Sequence, residues 1–185
     1  LLTAVSALNY LLVATPWGQA LGGLQWLALM TMQPITIDGD ELRLLGSLPG
    51  LDQLWRYWTP VFLHFSLFHI LFNGLMLLEL GRRVETLQGA QRLLFLVMAG
   101  GLVSNLAQFH AAPDSLFGGM SGVIYALIGY CWLYQRLRPA TVFNTPPGLM
   151  VMAVVWLLLC FSGLVTLAGM GKIANAAHLG GLLAG

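Results

Sequence analysis

Phe117-Gly118-Gly119-Met120-Ser121-Gly122-Val123-Ile124-Tyr125-Ala126-Leu127-Ile128-Gly129-Tyr130-Cys131-Trp132-Leu133-Tyr134 is the stretch whose reading decides the fold. It is uncharged and mostly apolar, and it meets polar residues only at Gln135-Arg136. From Ser121 to that boundary is about fourteen residues, or roughly 21 Å of helix at 1.5 Å per residue. Against a hydrocarbon core of ~30 Å, a helix opening at Ser121 starts about 10 Å below a membrane surface. The glycine-rich backbone before it is tolerated at that depth only where protein or a water-filled cavity surrounds it.

The rest of the chain agrees with a membrane setting. Hydrophobic residues make up 58% of the 185 and charged ones 8%, where a soluble domain carries about a quarter charged. The mean hydropathy is +0.80. Too few charges are present to cover a water-facing surface, so the expected fold is an all-α membrane protein, a six-transmembrane-helix bundle forming a single domain over 1–185. The net charge of +1 and the scattering of the eight Lys and Arg residues argue against nucleic acid as a partner. Cys131 and Cys160 lie in apolar runs and suggest neither a disulfide framework nor a metal site. The sequence starts at Leu1 and stops at Gly185 inside an apolar, glycine-rich pattern, as expected of a stretch trimmed at both ends; a cleavable signal is not expected.

The expected spans are 1–17, 61–80, 92–110, 121–134 and 147–167, with a last one starting near Ile173. Between the first two lies a long segment, roughly 18–60, that mixes apolar patches with Asp38, Asp40, Glu41, Arg43, Asp52 and Arg56. Such a connection is expected to fold against the membrane interface. Arg82, Arg83 and Arg92 flank the second connection, and Arg136 and Arg138 the fourth. The positive-inside rule therefore puts the N-terminus and the 80–92 and 135–146 loops in the cytoplasm, with the long first loop and the loops before Ser121 and around Lys172 on the opposite side.

Three separated groups of residues could carry chemistry. In Gly118-Gly119-Met120-Ser121-Gly122 a serine opens a helix between glycines, where backbone amides and the helix dipole favour a developing negative charge. A plain N-cap role for Ser121 is the alternative. His178 lies in Ala177-His178-Leu179-Gly180-Gly181, and Gly181-x-x-x-Gly185 lets a second helix approach closely. If that helix is the fourth, through Gly122, then Ser121 and His178 meet within hydrogen-bond range, ~2.6–3.2 Å. Otherwise His178 is a structural histidine. The second span holds His64, His69 and Asn73, of which the last two share a helix face. Two neutral donors on one face could hold an oxyanion or simply link helices. Tyr125 follows Ser121 by one turn and could pack on the His178 ring. Asp114 reads as a loop cap or a solvated charge, so a dyad is expected rather than a triad.

In these motifs the chain resembles the rhomboid family of intramembrane serine proteases, its bacterial GlpG type above all. The resemblance rests on His69-x-x-x-Asn73, on Gly119-Met120-Ser121-Gly122 and on His178-x-x-Gly181-x-x-x-Gly185, on spans two, four and six, and on Trp55-Arg56 in the first loop. It implies a nucleophile at Ser121 and a general base at His178. His69 and Asn73 then form the oxyanion site with the Ser121 amide, and Gly119, Gly122, Tyr125 and Gly181 support it. It further implies a first loop partly in the outer leaflet, and a gate made by the fifth helix, with Trp156 facing it, and the loop before His178. Arg56, Glu85, Ser104, Asn105 and Gln108 are expected as structural polar contacts. The implied partners are the lipid bilayer and transmembrane segments of other membrane proteins, in a bacterial inner membrane, with no metal or organic cofactor.

Two other classes compete with this reading. A non-catalytic rhomboid-like protein that binds membrane segments would lack a dyad residue, yet both are present. A transporter should show repeated halves or an ionisable pathway, and the sequence shows neither.

Overall fold

The computed structural model describes residues 1–38, 41–140, 143, 145–167 and 172–185. Its helices begin and end where local chemistry requires. α1 (Leu2–Ala14) stops at Thr15, whose hydroxyl accepts from the Gly18 N–H at 3.2 Å and so caps α2 (Pro16–Ala20), with Pro16 at a position that needs no donor. After α3 (Gly23–Met30), β1 (Ile35–Asp38) pairs antiparallel with β2 (Glu41–Leu44). Two 3-10 turns, Leu51–Tyr57 and Thr59–Phe62, lead into α4 (Leu67–Gln88) and α5 (Ala90–Ala111). α6 (Ser121–Leu137), α7 (Leu149–Phe161) and α8 (Asn175–Ala184) complete the chain.

Several expected boundaries move. The second span was expected from residue 61, but α4 starts at Leu67, because Ser66 has extended backbone and its hydroxyl accepts from the His69 N–H at 3.2 Å. His64 is therefore off the helix. At its other end α4 continues through Arg82, Arg83 and Glu85 to Gln88, so most of the expected 80–92 loop is helix, held there by an Arg83–Glu79 pair one turn apart. α6 runs three residues past Tyr134. α7 is shorter than 147–167, since Gly148 and Gly163 have φ of 78° and 80°, which a helix does not tolerate. Three expected features extend onto residues outside the described set: Asp40 in the first loop, positions 141, 142 and 144 in the 135–146 loop, and positions 168–171 in the loop before His178.

α6 is the buried centre. Val123, Leu127 and Cys131 are almost fully enclosed, against Leu77, Leu80 and Val84 of α4 and Leu96 and Val97 of α5. Its other side meets α8 with no side chain between the backbones. A Cβ at Gly181 would sit 2.0 Å from the Gly122 carbonyl oxygen, and one at Gly185 1.8 Å from that of Ala126. The Gly181-x-x-x-Gly185 face thus meets α6, the expected fourth span, through Gly122, as the spacing led us to expect.

The first loop is tied down by a buried cation. The Arg56 guanidinium donates to the carbonyls of Ala28 at 2.6 Å and Thr31 at 2.9 Å and to Gln53 Oε1 at 2.5 Å. Gln33 reaches across to the carbonyls of Pro113 and Ser115, just ahead of α6.

The outward surface is apolar. α4 exposes Leu67, Phe68, Leu71, Phe72, Leu75 and Leu78, and α7 buries only Leu149, Ala153, Leu157 and Cys160 while Val151, Met152, Val155 and Leu158 face out. Water-facing monomers rarely carry continuous apolar patches of this kind. Among the described residues one helix, Ala90–Ala111, is long and apolar enough to cross a membrane alone. A second candidate is Leu51–Phe62 with Leu67–Gln88, bent by 95°, and Leu2–Ala14 and Leu149–Phe161 are shorter apolar helices.

The glycine contact makes a contrast that can be measured. Gly181→Ala drives a methyl into backbone and should lower unfolding stability in detergent micelles by about 2 kcal/mol or more. Gly74→Ala, whose methyl would meet only Thr3 Cγ2 at 3.8 Å, should be neutral or slightly stabilising.

Candidate active site

The loop before α6 is shaped by what its glycines touch. Gly119 has φ of 119° and donates its N–H to the Pro60 carbonyl at 2.9 Å. A side chain there would be strained, and its Cβ would lie 2.6 Å from the His69 ring and 3.6 Å from Asn73 Nδ2. Gly118 is equally confined, by Leu63 and the Pro60 carbonyl. The loop can therefore lie directly on the His69 and Asn73 side chains.

Ser121 is the first residue of α6, after Met120 at the cap position, and no side chain caps this end. The first backbone N–H groups of a helix have no intrahelical acceptor, so the Ser121 amide points its donor away from the helix body. The Ser121 hydroxyl does not cap the helix. It lies 2.8 Å from His178 Nε2, which removes the N-cap reading.

His178 is 5% exposed and stacks on Tyr125, with ring centroids 4.8 Å apart and planes 18° from parallel. The Tyr125 hydroxyl donates to the Ala153 carbonyl on α7 at 2.9 Å. Among the described residues His178 Nδ1 has no hydrogen-bond partner. Imidazole with a proton on Nδ1 presents a free lone pair at Nε2, the arrangement that lets it accept the serine proton.

The expected residues thus gather in one place: Ser121 and His178 face each other, and Tyr125 stacks. His69 and Asn73 flank Gly119, while Gly122 and Gly181 form the crossing. Of the residues expected as structural contacts, Arg56, Ser104, Asn105 and Gln108 make hydrogen bonds. Asn105 donates to the Tyr57 carbonyl at 2.9 Å, Ser104 to that of Gly101 at 3.0 Å, and Gln108 Oε1 accepts from the Ala177 N–H at 3.3 Å. Trp156 is exposed on α7.

Some of the site was not foreseen. His64 was noted without a role, yet it is fully buried and its Nε2 lies 3.1 Å from Asn73 Nδ2. Pro60 and Ser66 were the available signals, since a breaker and an N-cap around His64 argue for non-helical backbone there. Asn175 donates to the Cys160 carbonyl at 3.0 Å, joining α7 to the start of α8.

A family model of the rhomboid domain matches residues 51–185.

The chain belongs to the rhomboid family.

It is accordingly a mainly helical integral membrane protein. Among its relatives is the rhomboid protease GlpG of Pectobacterium atrosepticum, 44% identical over 158 residues, covering 85% of this chain and 52% of that protein. The protein of the same name from Serratia proteamaculans is 45% identical over 133 residues, covering 72% and 46%. That from Yersinia pestis is 42% identical over the same length. The chain spans about half the length of these curated relatives.

The stacked tyrosine separates two roles. Tyr125→Phe keeps the ring and loses one buried hydrogen bond, so it should cost about 1 kcal/mol of stability and leave Ser121 labelling by a fluorophosphonate near the parental rate. Tyr125→Ala removes the stack and should slow labelling by roughly tenfold or more.

Proposed function

We propose that this rhomboid-family chain is an intramembrane serine endopeptidase that cleaves transmembrane segments of other membrane proteins through a Ser121–His178 dyad. The observation that carries the reading is the 2.8 Å contact between Ser121 Oγ and His178 Nε2 at the glycine crossing. The match to the rhomboid domain and the relatives named as proteases support it.

In the proposed reaction His178 Nε2 takes the Ser121 proton as Oγ attacks the scissile carbonyl carbon. The negative oxygen is met by the Ser121 amide, His69 and Asn73. The intermediate collapses, His178 gives its proton to the departing amine, and an ester remains on Ser121. Water, deprotonated by His178, then attacks that ester; the carbon–Oγ bond breaks, His178 returns the proton to Ser121 Oγ, and the acid product leaves as a carboxylate. No metal or organic cofactor takes part.

The finer layout belongs to the same proposal. Residues 1–185 form one domain in a bacterial inner membrane, with α1, α4, α5, α6, α7 and α8 as six spans and the first loop on the interface. The N-terminus and the connections after α4 and α6 lie in the cytoplasm. The extra turn of α6 carries Gln135 and Arg136, and Arg136 covers the Trp132 ring at 4.2 Å, an interfacial pairing. The apolar part of α6 thus still ends near Tyr134, which keeps Ser121 about 10 Å below the opposite surface. A substrate helix enters laterally beside the loosely attached α7 and unwinds, and water reaches the site from the nearer surface.

Purified protein with a tagged single-span substrate tests this. Ser121→Ala and His178→Ala should each lower cleavage by ~10⁴-fold or more, to background, and the double variant should be no worse than either alone. Cleavage that persists unchanged in Ser121→Ala overturns the proposal.

A further inference from the structure

The segment between the 3-10 turn Thr59–Phe62 and α4 holds, besides the capping Ser66, a buried polar side chain that the proposed reaction does not use. His64 is fully buried. Its Nδ1 lies 3.2 Å from the Phe62 carbonyl oxygen and its Nε2 lies 3.1 Å from Asn73 Nδ2. A carbonyl only accepts, so Nδ1 carries the proton and donates to it. In a neutral ring Nε2 is then an acceptor, and it can take a hydrogen bond only from an N–H. That settles which way the Asn73 amide faces: its NH₂ group, not its carbonyl, is turned to His64. One N–H of that group is used by the histidine, and the other remains. The same nitrogen lies 3.6 Å from where a Gly119 Cβ would be, so it borders the loop that leads to Ser121. With the amide reversed, Asn73 would turn an acceptor toward that loop and repel an oxyanion.

We propose that His64 is a positioning residue: relayed from the Phe62 carbonyl, it fixes the Asn73 amide with an N–H toward the oxyanion. The His69 ring packs edge-on against it, with centroids 4.8 Å apart, so both side chains assigned to the oxyanion rest on His64. This inference rests on the serine-protease reading above. The relay acts on the transition state, since the oxyanion exists only there, and its loss should fall on kcat rather than KM.

The test compares cleavage of the tagged single-span substrate by the parent, His64→Leu, His64→Gln, His64→Asn, Asn73→Ala and the His64→Leu/Asn73→Ala double variant. A glutamine amide reaches the place of Nε2 and can accept from Asn73, whereas an asparagine amide reaches only the place of Nδ1. Expected are a kcat lowered roughly tenfold or more in His64→Leu and His64→Asn, below the ~10²–10³ ceiling for removing an oxyanion donor outright. KM should stay within about twofold. His64→Gln should recover most of the rate, and the double variant should be no slower than Asn73→Ala alone. The proposal is overturned by parental kcat in His64→Leu, by glutamine no better than asparagine, or by losses that multiply in the double variant. Should His64→Leu not fold, as read from thermal unfolding, His64→Asn takes its place alone and in the double variant. Full cleavage by Ser121→Ala would instead remove the protease reading itself.

Discussion

The distance between the backbones of α6 and α8 governs what the rest of the molecule can do. Serine reaches one bond beyond its Cβ, and the histidine ring is rigid. The two meet at 2.8 Å only because Gly122 and Gly181 let the helix axes come as close as backbone atoms allow. Inside a bilayer no hydrophobic effect drives helices together, and close van der Waals contact has to do so. Gly129 continues the same contact one layer further along, where a Cβ would lie 2.5 Å from the Leu182 carbonyl. Glycine is the poorest helix former after proline, so a face with glycine at 181 and 185 gives up helix propensity for proximity. α5 closes the third side, with Ala107 against Gly180 and Ser104 against Gly122. The Ser121–His178 pair is thus held by a three-helix unit that leaves α7 outside.

That exclusion gives α7 its distinct character. It adds a single stripe, Leu149, Ala153 and Leu157, to the core and is otherwise apolar on the outside. Two of its backbone carbonyls are held by polar side chains from the site: Ala153 by Tyr125 and Cys160 by Asn175. The tyrosine that orients the His178 ring is therefore the one that holds the middle of α7. On the proposed reading, lateral entry of a substrate helix beside α7 loads the ring that keeps the base in place, so entry and base geometry are mechanically joined.

What could be read from the sequence divides along a physical line. Membrane embedding was legible because it depends on summed composition, which no local arrangement alters. The α6–α8 crossing was legible because glycine four residues apart marks a contact that only the missing side chains permit. His69 and Asn73 were legible as a pair because four residues make one helical turn. The contacts that were missed are made to backbone atoms, which carry no residue label. Nothing in the sequence marks the Pro60 carbonyl as the acceptor for Gly119, or the Ala153 carbonyl as the acceptor for Tyr125. His64 lay hidden for a related reason: nine residues from Asn73 on an assumed continuous helix it would have faced elsewhere, and only the break at Ser66 folds it back. Helix ends were misjudged where charged residues were read as loop, since Arg82, Arg83 and Glu85 extend α4 past the apolar stretch at no conformational penalty.

On the proposed reading, the want of a partner for His178 Nδ1 among the described residues bears on how such a site works. In a serine–histidine–aspartate triad the acid fixes the tautomer, orients the ring and stabilises the imidazolium that forms. Here orientation comes from the Tyr125 stack and from a backbone packed against α6, and neither supplies charge. The Ser121 hydroxyl both donates and accepts, so the 2.8 Å contact does not itself fix the tautomer; with the proton on Nδ1 the hydroxyl donates to Nε2. Stabilisation of the charged intermediate then falls mainly on the other side of the reacting carbon, where the donors must be aimed before the oxyanion forms. A site without the acid depends the more on that aim. The burial of His64, the positive φ of Gly119 and the packing of two histidine rings at the edge of α4 all restrict the same small group of donors, and in the proposed dyad that restriction has to do the work a carboxylate would otherwise share.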